Sequence, residues 1–288
     1  MERQATRLIV VAFVLILSGS SNALDNSEIA AQCQDAEYLM ELFTVGGRPV
    51  NEDPNHKVKI LINHGYAVGY SEKRRNPLWA VYKASDLQTG TTHRYRRSQL
   101  FPRDLRVVPS VDGRTFGGGY DRGHMVPNAA IGNQYGSLAQ METFLMTNMC
   151  PQKGDLNQHP WKHLEQWVTD AAEARQHIYV IAGPIFADDP DITQNGPERG
   201  IQIPDEFYMI LVDLSYEWNP KPTVKMIAYR FPQSTPTNAD FKNRQQYGAS
   251  VDEIEDATNL DFFPLYAEMF TNWATKEAEV VTPHWSLN

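Results

Sequence analysis

Cysteine is almost missing from this chain: Cys33 and Cys150 are its only two in 288 residues. Two thiols so far apart in sequence cannot build a cysteine-rich zinc module or a dense disulfide framework. They can form at most one bridge in an oxidising compartment, a pairing that sequence separation does not decide. Long apolar runs are equally scarce. The one that stands out, Leu8 to Leu17, has ten residues, too few to cross a bilayer as a helix. Arg3 and Arg7 flank its start and Ser18-Gly19-Ser20-Ser21-Asn22-Ala23 follows it, the pattern of a secretory signal over residues 1–23. A mitochondrial leader is the competing reading, although arginine is sparse, Glu2 is present and the segment is more apolar than amphipathic. The mature chain is therefore expected to be secreted or periplasmic, with no membrane anchor after signal removal. Internal repeats and low-complexity tracts are also missing, which argues against solenoids and disordered linkers.

What remains suits a well-filled core, with 42% apolar and 11% aromatic residues. Residues 24–55 read as an N-terminal arm with a short helical piece near Asp35–Phe43, and residues 56–288 as a single domain. His64–Tyr70 and Leu78–Tyr82 read as strands joined by a basic turn. Residues 91–119 look like a loop ending in Gly117-Gly118-Gly119. Met141–Met149 is a strand or a buried helix-to-strand passage. The clearest helix runs from His159 to Gln176, with Trp161, Leu164, Val168 and Ala171 on one stripe and Pro160 in its first turn. Ile178–Ala182, Phe207–Leu214 and Val224–Arg230 read as strands, the last two separated by a turn at Trp218-Asn219-Pro220. Ser250–Thr258 is a short acidic helix with a Ser250/Glu253 capping box. Strands and helices do not alternate regularly, so an α+β fold is expected.

Net charge is −9, the wrong overall sign for a polyanionic partner. Between Ser71 and Val126, however, eleven Lys/Arg face five Asp/Glu, so the rest of the chain carries the acidity. A basic zone of this kind can contact phosphates while the acidic remainder favours solubility; its blander reading is a solvated face.

Within that zone stands Asp121-Arg122-Gly123-His124. Asn148 follows 24 residues after the histidine, then Asn157 and Glu165. Phosphodiester cleavage needs a deprotonated water, charge neutralisation on phosphate and stabilisation of the departing oxygen. His124 can take a proton near neutral pH. Asn157 offers a hard oxygen to Mg²⁺, an ion that keeps most of its waters. Glu165, about two helical turns later, can hold a metal-bound water, and Arg122 suits the developing phosphate charge. Each of these residues alone would more often be structural. The ordered combination of base, cation, amide and carboxylate is what carries the reading. His159 and His163 share a helix face, but Pro160 stands where a zinc protease needs glutamate and no third ligand is evident. Asp188-Asp189-Pro190-Asp191 reads as an acidic turn rather than a calcium loop.

On these residues the chain resembles the DNA/RNA non-specific endonuclease family, which includes endonuclease G and secreted sugar-non-specific nucleases. Matching stretches are Gly119–Pro127, Phe144–Gln152, Asn157–Glu165, Tyr179–Phe186, Ile203–Phe207 and Val251–Pro264. The resemblance implies a ββα-metal finger embedded in a larger mixed, mainly antiparallel sheet flanked by helices. It implies Mg²⁺-dependent cleavage of DNA and RNA to 5′-phosphorylated products, with Mn²⁺ as a candidate substitute ion. It casts His124 as general base, Asn157 as direct metal ligand, Glu165 as partner of a metal-bound water and Asn148 as an amide that orients His124. Arg97, Asp121 and Arg122 fall on the substrate side. Two positions depart from relatives: Thr169 and Met209 stand where several carry arginine and lysine. A catalytically weak homologue that binds nucleic acid or protein is the alternative. A homodimer is compatible with the sequence but not specified by it.

Overall fold

The computed structural model describes residues 40–54, 56–85, 95–116, 118–186, 200–215, 223–269, 273, 277 and 278. The segment 1–23, Cys33, the acidic turn at Asp188–Asp191 and the turn at Trp218–Pro220 lie outside them. Among the described residues no helix is long and apolar enough to cross a membrane.

The central element is a seven-stranded antiparallel sheet. Its strands are β2 (Lys59–Ile62), β3 (Ala67–Ser71), β4 (Asn76–Ser85), β7 (His177–Ile185), β8 (Glu206–Ser215), β9 (Thr223–Pro232) and β10 (Gly248–Ala249), in the order β10-β9-β8-β7-β4-β3-β2. The long strands are apolar on both sides because the sheet is covered on both faces. Side chains alternate across a strand, so Ala80 and Tyr82, Val180 and Ala182, Phe207 and Met209, and Tyr229 and Phe231 enter one core. Their neighbours Val81, Ile181, Tyr208, Ile210 and Ala228 enter the other.

The second core is closed by α3 (Val251–Thr258) and by Met40 and Phe43 of the N-terminal segment. Helix α3 carries the expected capping box, and Val251 and Ile254 face the sheet. The described part of the segment read as an arm also pairs with the C-terminal region, β1 (Val50–Asn51) lying antiparallel to β11 (Leu260–Asp261).

The first core is covered by a hairpin and a helix. Strand β5 (Asp121–His124) pairs antiparallel with β6 (Met149–Gln152), and α1 (Asn128–Glu142) is inserted between them. The chain then enters a helical turn at Gly154–Leu156, a π turn at Asn157–Trp161 and α2 (Lys162–Arg175). Leu156, Trp161, Leu164, Val168 and Ala172 bury this helix against the sheet. Two strands and a helix packed in this way are the ββα-metal arrangement, and the α+β architecture is as expected.

Two local expectations need correction. The strand read at His64–Tyr70 begins at Ala67, because His64 and Gly65 make the turn from β2, closed by the Asn63 N–H donating to the Tyr66 carbonyl. The helix read from His159 begins at Gly154. Pro160 therefore lies inside the π turn rather than in a first turn, where the wider backbone spacing accommodates a residue that has no N–H to donate. Of the two readings of Met141–Met149, the passage holds: it runs from the end of α1 through a 3₁₀ turn at Met146–Asn148 into β6.

Candidate active site

Strand alternation divides β5 into two sides. Arg122 and His124 share one side with the ring of Phe101. The Arg122 guanidinium carbon lies 4.7 Å from that ring's centroid, and the imidazole meets it edge-on at 6.0 Å. Phe144 stands perpendicular to the imidazole at 5.4 Å. His124 thus sits in an aromatic slot, 7% exposed. Its Nε2 is buried and has no hydrogen-bond partner among the described residues. Burial, and secondarily the positive charge of Arg97, lower its pKa to about 3, opposed by a backbone hydrogen bond with Arg122. The ring is therefore neutral at physiological pH, as a proton acceptor must be. Arg122 is fixed at its inner end, where Nε donates to the Gly113 carbonyl at 2.7 Å.

Asp121 and Gly123 occupy the other side. A Cβ on Gly123 would lie 2.4 Å from Oε1 of Gln152, so only glycine permits this close packing. Asp121 accepts from Asn157 Nδ2 at 2.9 Å and from Gln158 Nε2 at 2.7 Å, both on Oδ2. Among the described residues Asp121 is thus engaged with the helix entry, whereas the sequence put it on the substrate side. Its effect is to fix which end of the Asn157 amide is tied down. The nitrogen is held, and the oxygen remains as donor atom.

Asn148 is fully buried. Its amide oxygen accepts from the Val126 N–H at 3.0 Å, and its nitrogen donates to the carbonyls of Val126 and Thr143 at 3.0 and 2.9 Å. The amide clamps the main chain two residues after His124. Its geometric link to the imidazole runs through that backbone.

Glu165 accepts from the Trp161 indole Nε1 at 3.2 Å. Burial pushes its carboxyl up to about 8, against the opposing effects of the Trp161 hydrogen bond and the charges of Arg97 and Lys162. Arg97 is exposed, its guanidinium carbon 5.7 Å from the centroid of Phe144. That its charge acts on both His124 and Glu165 puts the imidazole and the carboxylate near the same cation. One turn after Glu165, the Thr169 hydroxyl donates to the Glu165 carbonyl at 3.1 Å. Met209 is fully buried in the first core. Cys150 is a buried free thiol whose pKa burial raises well above its ordinary value, and such a thiol is a poor nucleophile.

Sequence reasoning missed Phe101, Phe144 and Gln152. The aromatic pair gave no signal of its own, since its contacts depend on tertiary structure. Gln152 was legible in part, as a polar residue closing an otherwise apolar strand. It is fully buried, and both atoms of its amide lack partners among the described residues.

These features fit a hydrated divalent cation. Orphaned buried polar atoms are costly, about 1–3 kcal/mol each, and ordered water around a cation could satisfy them. A carboxyl whose pKa burial has raised would be returned to its ionised form by a nearby positive charge. Asn157 Oδ1 and Glu165 are oxygen donors of the kind Mg²⁺ takes.

The hairpin, helix and sheet define a ββα-metal fold of the nuclease type. Residues 49–268 match the family described as DNA/RNA non-specific endonuclease, and the chain belongs to it. It is similar to a nuclease of Nostoc sp., 28% identical over 226 residues, which cover 75% of this chain and 77% of that protein. A Serratia marcescens nuclease is 27% identical over 208 residues, 69% of this chain and 73% of the relative. A mitochondrial nuclease of Saccharomyces cerevisiae is 24% identical over 206 residues, 67% of this chain but only 61% of its own length. A solved EndoG/EndoGI complex shares the fold, with a TM-score of 0.63 at 21% identity over 80% of this chain and 91% of that one.

Proposed function

We propose that the chain is a Mg²⁺-dependent, sugar-non-specific endonuclease that hydrolyses DNA and RNA to 5′-phosphorylated products. The observation that carries this reading is the His124 imidazole: neutral, buried among aromatic rings, and with an unpartnered Nε2. An imidazole held in this way is a base without a competing hydrogen bond.

In the proposed reaction His124 takes a proton from water at Nε2 as the water oxygen bonds to phosphorus. The bond from phosphorus to the 3′ oxygen breaks, its electron pair going to that oxygen, which leaves as a hydroxyl after protonation by solvent. Arg122 and Arg97 bind the non-bridging phosphate oxygens and offset the charge that builds there. Asn157, oriented by Asp121, would hold Mg²⁺ directly, and Glu165 would hold it through water. When bound, the ion supplies Lewis-acid stabilisation of the phosphate and the departing oxygen. Asn148 keeps the exit of β5 in place. Grip on the scissile phosphate by charge, with no group of the site committed to the 2′ position or to one base, accounts for acceptance of both nucleic acids. Residues 1–23 are proposed to direct export.

Purified residues 24–288 should nick supercoiled plasmid and digest RNA with Mg²⁺, and with Mn²⁺ in its place. EDTA or His124→Ala should abolish both activities. Full activity in the His124→Ala protein would remove the base from this scheme. A wild-type protein that binds nucleic acid and never cuts it would favour the weak-homologue reading instead.

A further inference from the structure

The segment Phe101–Gly113 is a closed loop whose two ends touch beside the candidate site. A Cβ on Gly113 would lie 2.5 Å from the Phe101 carbonyl oxygen, so the ends meet without room for a side chain. Arg103 and Asp112 pair across the base of the loop at 2.7 Å. The loop is also fastened from beneath. Buried Asp104 accepts from Thr147 Oγ1 and from Arg106, each at 2.7 Å, and Arg106 reaches the Ile62 carbonyl at 3.1 Å and Asn63 Oδ1 at 2.9 Å. The Val108 N–H donates to Glu72 at 2.8 Å.

On this fixed frame Val107 points inward, 2% exposed, while Leu105 and Val108 point out, 84% and 76% exposed. Large apolar side chains held this far into solvent by a well-fastened loop suggest a binding surface more than slack. The loop connects to the candidate site through Phe101, which touches both Arg122 and His124. Next to the tip in sequence, the Arg103 guanidinium is half exposed while paired with Asp112, and that of Arg106 is committed to Asp104, Ile62 and Asn63.

We propose that Leu105 and Val108 form an apolar contact with the groove of a double-stranded nucleic acid whose scissile phosphate lies at Arg122 and His124. This inference rests on the nuclease reading and names the form of substrate that the site favours. A strand anchored by phosphate at the site presents its neighbouring sugar faces and base edges to whatever stands beside it. Those are the apolar parts of a nucleic acid, and apolar side chains are used against them in the minor groove. The one net positive charge that Arg103 and Arg114 keep beyond Asp112 suits a flanking phosphate. A single strand, free to turn away, loses little without the contact.

The test is Leu105→Ser/Val108→Ser, both positions being exposed so that folding is expected to persist. Cleavage with Mg²⁺ is measured on a duplex oligonucleotide and on its single strand at equal length, with binding to both followed by fluorescence anisotropy in EDTA. The expected result is a rise of about tenfold or more in KM and Kd for the duplex, the scale of losing two partly buried apolar side chains. Turnover at saturation and the single-strand constants should stay within about twofold. Unchanged duplex constants, or equal weakening of both substrates, overturn the proposal. So does a shift from dimer to monomer by light scattering, which would make the tip a contact between copies of this chain. If the wild type cuts neither substrate, the nuclease reading fails, while the anisotropy comparison still decides the groove contact.

Discussion

His124 and Asp121 lie three residues apart on one strand, and each makes a prediction of its own. The unfolded chain protonates its imidazole near 6.5, while the folded chain holds it neutral down to about 3. Between those values the unfolded state binds more protons, so stability falls as pH drops through this window, by at most about 1.4 kcal/mol per unit, and levels off above it. His124→Gln should remove that dependence. Urea midpoints in EDTA should therefore shift in favour of the variant as pH is lowered from about 7.5 to about 4.5. Parallel curves would mean that the folded imidazole takes up a proton like an exposed one. For Asp121→Asn the expected loss is in metal affinity, since both helix-side donors rest on the same carboxylate oxygen. The Mg²⁺ concentration for half-maximal nicking should rise about 10–100-fold, with turnover at saturating Mg²⁺ close to wild type. A fall in turnover or a rise in nucleic-acid KM, with Mg²⁺ dependence intact, would return Asp121 to the substrate side where the sequence put it.

Elements differ in how far they can be altered without touching the chemistry. Helix α3 packs into the core on the sheet face opposite the hairpin. Its Ser250 side chain accepts from the Glu253 N–H at 3.1 Å. Ser250→Ala should cost about 1 kcal/mol in urea-unfolding free energy and leave the nicking rate unchanged; a matching loss of rate would mean that the two faces are coupled. This helix was legible in sequence because its signal is local, a cap followed by two apolar residues at helical spacing. Helix α2 was legible for a similar reason, through the stripe of Trp161, Leu164 and Val168. Helix α1 gave no such signal, since Gly132 and Gly136 interrupt it and Gly136 has a φ of 83°. Strand β5 was legible as chemistry but not as a strand. Asp-Arg-Gly-His has no apolar alternation, and its pairing with β6 is made by backbone. The candidate site therefore divides. Its charged and amide groups were recoverable from residue type and order, whereas the slot of Phe101 and Phe144 and the buried amide of Gln152 exist only after folding.

At the scale of the whole molecule the structure redistributes the basic zone that the sequence placed in one block. Lys73 and Arg74 line a cavity of about 660 Å³ with Asp53, Asp205 and Asp256, including residues of α3 on the sheet face away from the hairpin. The Arg74 guanidinium rests 4.5 Å over Phe186 and bonds to Gln202. Lys83 lies 5.2 Å over Tyr179, and Arg106 is paired with Asp104. Arg103 and Arg114 share the single carboxylate of Asp112, leaving one net positive charge between them. Arg96, Arg97 and Arg122 make no ion pair with a described residue, and Arg94 lies outside the described residues. The Arg75 guanidinium packs against Gly200, next in the chain to the Arg74–Gln202 contact. With it set aside, about four net charges among the described residues remain to meet phosphate, rather than the eleven counted along the chain. Release of counterions gives a slope of about 0.9 per neutralised phosphate on duplex DNA, so log Kd against log salt should rise with a slope of about 3–4. Anisotropy with a duplex in EDTA, from about 50 to 300 mM NaCl, measures this directly. Arg97→Ala should lower the slope by about 1. A wild-type slope near 10 would show that the cations of both faces meet the same nucleic acid, and that the division drawn from the fold is wrong.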